Sequence, residues 1–153
     1  CTRSLVGSEM CIRYSRMMSL LMSMFSQRFD ADHRNLSDIR SAYRAWFDSG
    51  ETEVPDSATH LMDADVVVTE LAANVIDHTD SPWVWLEITA SPSAMTVTVS
   101  HIGPASSVPD VALWGVLEEG DRGRGLRMVR ALSDQIEVAE HDETTSIRCR
   151  LFT

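Results

Sequence analysis

Hydrophobic and polar positions along this chain follow two periods, and the changes between them mark its elements. From Val66 to His78 the run VVVTELAANVIDH places Val, Leu, Ile or Ala at eight of thirteen positions. As a helix it would be apolar around most of its circumference, the pattern of a helix packed inside a domain. Glu70, Asn74 and His78 nevertheless recur at i, i+4 and i+8, which draws one slightly drifting polar stripe down that cylinder. A carboxylate in such a place is costly unless something pairs with it. The stripe is therefore expected to face a cleft holding water, a metal or a ligand.

The other elements follow in order. Residues 22–29, MSMFSQRF, alternate loosely and predict a first, edge strand. Asn35 or Ser37 is expected to cap a helix carrying Leu36, Ile39, Tyr43 and Trp46/Phe47 at helical spacing, with Gly50 as its stop. ETEVPDS reads as a loop, and Asp56 or Ser57 starts the long helix, which Asp80-Ser81-Pro82 ends. WVWLEITA (83–90) and MTVTVSHI (95–102) have period two across Ser91-Pro92-Ser93 and predict a hairpin. QIEVAE (135–140) and SIRCRLF (146–152) predict a second around His141-Asp142-Glu143. Between the hairpins, Gly103 to Gly123 is rich in Gly, Pro, Ser and acidic residues, with one apolar patch at Val111–Leu117. Connections that long are usually lids or binding loops. A short helix with Leu126, Val129, Arg130 and Leu132 follows Gly123-Arg124-Gly125. The order β-α-α-β-β-lid-α-β-β predicts an α+β fold, a two-layer sandwich with a mostly antiparallel sheet and helices on one face.

Composition narrows the picture. The 153 residues suffice for one domain with a real core, and 44% hydrophobic with 24% charged residues describe an ordinary globular protein. No apolar run approaches the roughly 20 residues of a membrane span. A net charge of −10 argues against a nucleic-acid binder, which would show a basic face. There is no Lys, which excludes mechanisms built on a lysine nucleophile or phosphate-binding lysine. Cys1, Cys11 and Cys149 make no disulfide pattern, so a reducing, cytoplasmic setting is expected. Residues 1–16 show neither period. Residues 1–21 are set aside as an artefactual or disordered leader, and 22–153 taken as the domain. A signal peptide built on MMSLLMSMF is the alternative; the run is short and no small-residue cleavage site follows it.

Three pieces carry candidate chemistry. The first is ELAANVIDH (70–78). The second is Gly123-Arg124-Gly125 at a helix start, where backbone N–H groups and the helix dipole bind phosphate. The third is His101-Ile102-Gly103-Pro104-Ala105, where a central strand ends and the lid begins. Their order, spacing and topology resemble the GHKL (Bergerat-fold) ATPases and, within them, the bacterial anti-sigma-factor serine/threonine kinases that regulate transcription by partner exchange. The likeness spans essentially residues 22–153, and E-L-x-x-N-x-x-x-H and D-R-G-R-G-L-R-M-V-R-A-L-S-D (121–134) carry it.

The resemblance implies ATP and Mg²⁺ as cofactors. Asn74 would ligate the Mg²⁺ that bridges the ATP phosphates, a role suited to an amide oxygen. Glu70 would orient or deprotonate the attacking serine hydroxyl of a partner protein. Gly123 and Gly125 would let the lid backbone approach the phosphates, with Arg124 and Leu126 in the same nucleotide-binding stretch. Gly103 would make the close turn beside the adenine, and His78 would lie near the phosphates. The implied partners are a small anti-anti-sigma (STAS-type) protein, which receives the phosphoryl group, and a sigma factor, held when that antagonist is absent. A homodimer is compatible with the resemblance; direct binding to nucleic acid or membrane is not expected.

One motif departs from the family. Its first lid motif is D-x-G-x-G, and the Asp accepts a hydrogen bond from the adenine amino group; here His101 and Ala105 replace the Asp and the last Gly. A neutral imidazole accepts one hydrogen bond. Losing a charged acceptor costs about 1.5–3 kcal/mol, so ATP binding is expected to be weakened. The alternative is a non-catalytic member that sequesters a partner through the helical face around Leu36–Phe47. Bland readings stand beside the functional ones: a solvated helix edge for Glu70 and Asn74, a helix-preceding loop for Gly123 and Gly125, a helix C-terminus for His78, a strand end for His101. Arg122, Arg124, Arg127 and Arg130 contact phosphate or an acidic partner, or form a solvated face. The five histidines lack paired ligand spacing, and no zinc site is expected.

Overall fold

Period-two alternation produces the sheet. Residues 23–49, 57–116 and 121–152 are described by the computed structural model. The expected leader, Cys1, Cys11, the helix stop Gly50, the Asp56 start and Leu117 lie outside the described residues. Strands β1 (Ser23–Asp30), β2 (Trp83–Ala90), β3 (Ala94–Ile102), β4 (Gln135–His141) and β5 (Thr144–Phe152) form one antiparallel sheet in the order β1-β2-β3-β5-β4. The register sets Ile88 opposite Phe25 and Val97, and Val97 opposite Cys149. Because side chains alternate across a strand, Leu86, Ile88, Val97, Val99, Ile147 and Cys149 all reach one face and are buried there.

Three described helices cover that face. Helix α1 (Leu36–Asp48) contributes Ile39, Tyr43 and Phe47; α2 (Ser57–His78) contributes Val67, Val68, Leu71 and Val75; α3 (Asp121–Leu132) contributes Leu126 and Val129. Each fully buried Val or Leu is worth about 1.5–3 kcal/mol, so α2 is held by its apolar circumference despite its polar stripe. No described helix is long and apolar enough to cross a membrane.

Local details differ from the sequence-based expectations. Asn35 precedes α1 without capping it; its side chain donates instead to the Asp30 carbonyl at 2.9 Å. The cap has moved to Asp32, which accepts from the Arg34 backbone N–H at 2.9 Å and starts a 3₁₀ turn, His33–Asn35, that runs into α1. Hydrogen bonds from the Arg34 side chain and backbone hold the Asp32 carboxyl at about 2. The lid, as its length implied, has structure of its own: it forms 3₁₀ turns at Ala105–Ser107 and Val111–Val116, and it buries Trp114, whose Nε1 donates to the Pro109 carbonyl at 2.9 Å. Helix α3 already begins at Asp121, so Gly123 and Gly125 lie inside it rather than ahead of it.

The β4–β5 connection is a two-residue turn with Asp142 at φ 48° and Glu143 at φ 65°. Both central residues at positive φ give the type I′ geometry that matches strand twist. The turn also fixes the lid's start, because Gly103 N donates to the Glu143 carbonyl at 2.7 Å and Thr145 Oγ1 to the Gly103 carbonyl at 2.6 Å. A β-carbon in the left-handed region costs about 1–2 kcal/mol, and glycine's extra unfolded-state freedom about 0.4–1 kcal/mol. Glu143→Gly is thus expected to stabilise the protein by about 0.5–1 kcal/mol, read as a raised urea midpoint at unchanged slope.

Candidate functional site

Helix α2 carries Glu70, Ala73, Asn74, Asp77 and His78 along one side, and α3 packs beside it with Gly125 and Leu126. Together these seven residues line a pocket of about 90 Å³. Gly125 is what lets the helices meet there. A β-carbon at that position would stand 2.2 Å from Glu70 Oε2 and 3.1 Å from its Cδ. A glycine inside a helix costs about 1 kcal/mol relative to alanine. Here that cost permits the close approach of α3 to the Glu70 carboxylate.

Asn74 is only 6% exposed, and neither Nδ2 nor Oδ1 has a hydrogen-bond partner among the described residues. Buried polar groups are satisfied in the great majority of cases, and one left unmet costs about 1–3 kcal/mol. The orphaned amide lines the pocket, with an oxygen suited to a hard divalent cation and an N–H₂ suited to a phosphate oxygen. The residues present therefore fit Mg²⁺ and phosphate. Burial pushes the half-buried Glu70 carboxyl above its ordinary range, which brings it nearer the pKa of an effective general base. At the pocket's edge, Asp77 Oδ1 lies 2.5 Å from Nε2 of His33, presented by the 3₁₀ turn. The lining holds two carboxylates and no arginine. An anion alone would be repelled there, and a polyphosphate needs a divalent cation with it.

Of the residues singled out from sequence, Glu70, Asn74, His78, Gly125 and Leu126 come together in this pocket. Gly123 is buried and Arg124 exposed in α3, and neither lines it. His101 and Gly103 are also apart from it. His101 is fully buried, with Nε2 3.3 Å from Ser107 Oγ. Ser107 spends its one hydroxyl proton on the Pro104 carbonyl at 2.7 Å, so the His101 Nε2–H is the donor and the buried Nδ1 is an acceptor with no partner among the described residues. Sequence reasoning missed Asp77 and His33. Asp77 carried a signal, since i+7 from Glu70 falls on the same helix face; His33 carried none.

Burial lowers the His101 pKa, so the folded state holds the ring neutral where the unfolded chain would bind a proton. Stability that is complete above the unfolded value, about 6.5, is then lost as pH falls below it, at no more than about 1.4 kcal/mol per pH unit. Urea unfolding at pH 7.5 and 5.5 should show a larger acid loss for the wild type than for His101→Gln. The difference isolates this group from Glu70, whose raised pKa has the opposite sign.

A larger concavity, about 590 Å³, lies on the sheet's open face among Thr96, Thr98, Glu137, Arg148 and Arg150. None of its lining side chains is an orphaned buried polar group among the described residues, and sheet twist alone curves such a face. The chemistry points to the α2–α3 pocket.

A two-layer sandwich whose long central helix sets Glu and Asn against a glycine of the following helix defines a GHKL-type nucleotide-binding domain. The histidine kinase-like ATPase domain family matches residues 29–151 of this sequence, and the chain belongs to that family. Among solved structures it is similar to the SiaB–SiaC complex from Pseudomonas aeruginosa, at 15% identity with all of both chains covered and a TM-score of 0.56. It is also similar to the RsbU and RsbW domains of Rv1364c from Mycobacterium tuberculosis, at 12% identity and a TM-score of 0.57. That match covers 84% of this chain and 31% of the other, so this chain spans about a third of it. At such identities the likeness is one of fold. A search of curated proteins found no match. The expected GHKL relationship and the α+β two-layer architecture are both borne out.

Proposed function

We propose that this domain binds Mg²⁺–ATP at the α2–α3 pocket and acts as an anti-sigma-factor-type serine/threonine kinase. The observation that carries the reading is the orphaned amide of Asn74 beside Glu70 and Gly125; family membership supports ATP as the nucleotide. Asn74 Oδ1 would hold the metal, whose charge offsets that of the phosphates. Glu70 would take the proton of an acceptor serine as its Oγ bonds to the γ-phosphorus and the bond to the ADP oxygen breaks. The proposed acceptor is a STAS-type anti-anti-sigma protein. A sigma factor would be the second partner, in a cytoplasmic setting, with a homodimer as the assembly. The relative solved as SiaB with SiaC supports a protein partner.

A pocket of about 90 Å³ is well below the roughly 300 Å³ of small-molecule sites. A whole nucleotide therefore requires the site to open beyond the space that α2 and α3 enclose. The seal over His101 favours a second reading, a module that binds partners without catalysis.

Calorimetric titration with ATP, with Mg²⁺ and then with EDTA, tests the first reading. Binding is expected with Mg²⁺ and about tenfold or more weaker without it, given the two lining carboxylates. No binding at millimolar Mg²⁺–ATP would overturn it. Binding without radiolabel transfer to a purified STAS-domain antagonist would select the non-catalytic module.

A further inference from the structure

Helix α3 carries four of the chain's arginines, Arg122, Arg124, Arg127 and Arg130, against a single Asp, in a protein of net charge −10. Its buried side is set by Gly125, Leu126 and Val129. At about 100° per residue, Arg127 falls opposite that side, with Arg124 and Arg130 flanking it and Met128 and Ala131 on the same outward arc. Arg124, Arg130 and Ala131 are exposed, Arg127 is partly exposed, and Met128 is 39% exposed. The segment Val111–Val116, which packs on α3, leaves Leu113 51% and Val116 75% exposed.

Arg34 and Arg44 each pair with an aspartate, Asp32 and Asp65. Arg124, Arg127 and Arg130 form no ion pair among the described residues. Three unpaired cations thus share one helix face of an acidic molecule, with large apolar side chains on the same helix and on the segment packed against it.

We propose that the outward face of α3 docks a protein whose surface is acidic around an exposed apolar side chain. The bulk of this chain repels such a partner, and α3 attracts it, so encounter is oriented toward one helix. Arg and Met are also among the side chains enriched in interfaces, where an aliphatic stem or thioether packs while charge sets register. The net charge of −10 weighs against nucleic acid as the occupant. Because Gly125 and Leu126 line the pocket from the opposite side of the same helix, a docked partner would sit across α3 from it. This goes beyond the kinase reading and requires neither nucleotide nor transfer.

The probe is a short fluorescein-labelled peptide of Asp and Glu around leucine, followed by anisotropy and by amide shifts in the ¹⁵N-labelled full chain. Binding with shifts on residues 123–132 is expected, several-fold weaker when serine replaces the leucine. The Arg127→Glu/Arg130→Glu variant should bind about tenfold or more weakly, with its circular dichroism and Mg²⁺–ATP titration unchanged. No binding, binding undiminished in the double variant, or shifts confined to Arg148 and Arg150 would overturn the proposal. So would self-association of the wild type that the double variant abolishes, since the occupant would then be a second copy. Peptide binding with no Mg²⁺–ATP binding would support the docking face and sink the kinase reading alone.

Discussion

Replacing Asn74 with leucine is expected to raise the unfolding temperature while removing most of the affinity for Mg²⁺–ATP. The amide is 6% exposed, it lines the pocket beside Leu126, and both of its polar atoms are unmet among the described residues. Folding therefore desolvates a group that receives nothing in return, at about 1–3 kcal/mol. Leucine has nearly the same shape and removes that cost. A gain of about 1–2 kcal/mol would raise the melting temperature by roughly 2–8 °C in a domain of this size. Loss of the oxygen ligand and the N–H₂ donor should weaken nucleotide binding by about 10–100-fold, the usual value of a hydrogen bond to a charged group. Thermal melts and Mg²⁺–ATP titrations of the two proteins decide it. A lower melting temperature would mean that the amide serves the fold, and the functional reading of the stripe would fall. Natural sites that keep such a group trade stability for binding.

The pattern of the chain made some of this legible and left the rest to tertiary contact. The two hairpins and the long helix were readable because each repeats its own period over six or more residues; α2 also carried its stripe visibly, since i, i+4 spacing needs no partner to be seen. Burial of His101 was implicit too, because the alternation that sends Val97 and Val99 inward sends His101 with them. The start of α3 was not readable: two glycines in three residues argue for loop on propensity, and the tertiary fit that favours helix, Leu126 and Val129 in the core with Gly125 against Glu70, is not local. Asn35 or Ser37 was the cap the sequence offered, whereas Asp32, bonded to Arg34, is the one used. The His33–Asp77 pair joins residues far apart in sequence, and no local rule predicts it.

Glu70→Gln should lower phosphoryl transfer by about 10²–10⁴-fold, the range for a general base, with Mg²⁺–ATP affinity near that of the wild type. Burial raises the Glu70 pKa, so the acid limb of the wild-type rate profile is expected above the ordinary carboxylate range and should disappear in the Gln variant. Gly125→Ala probes the same carboxylate from the other helix. Its new methyl would stand 2.2 Å from Oε2, while Glu70 Cβ, at 3.7 Å, has room. The flexible end of Glu70 must swing aside. Alanine's helix preference, about 1 kcal/mol, offsets an overpacking cost of about 1–3 kcal/mol, so stability should change little. Transfer should nevertheless fall by about 10²-fold, as misplacement by an ångström can cost that much. If both substitutions act through one carboxylate, the double variant will be no slower than Glu70→Gln alone. Transfer unaffected by Gly125→Ala, or multiplicative losses in the double variant, would separate the glycine from the base and leave α3 with no part in aligning the reaction.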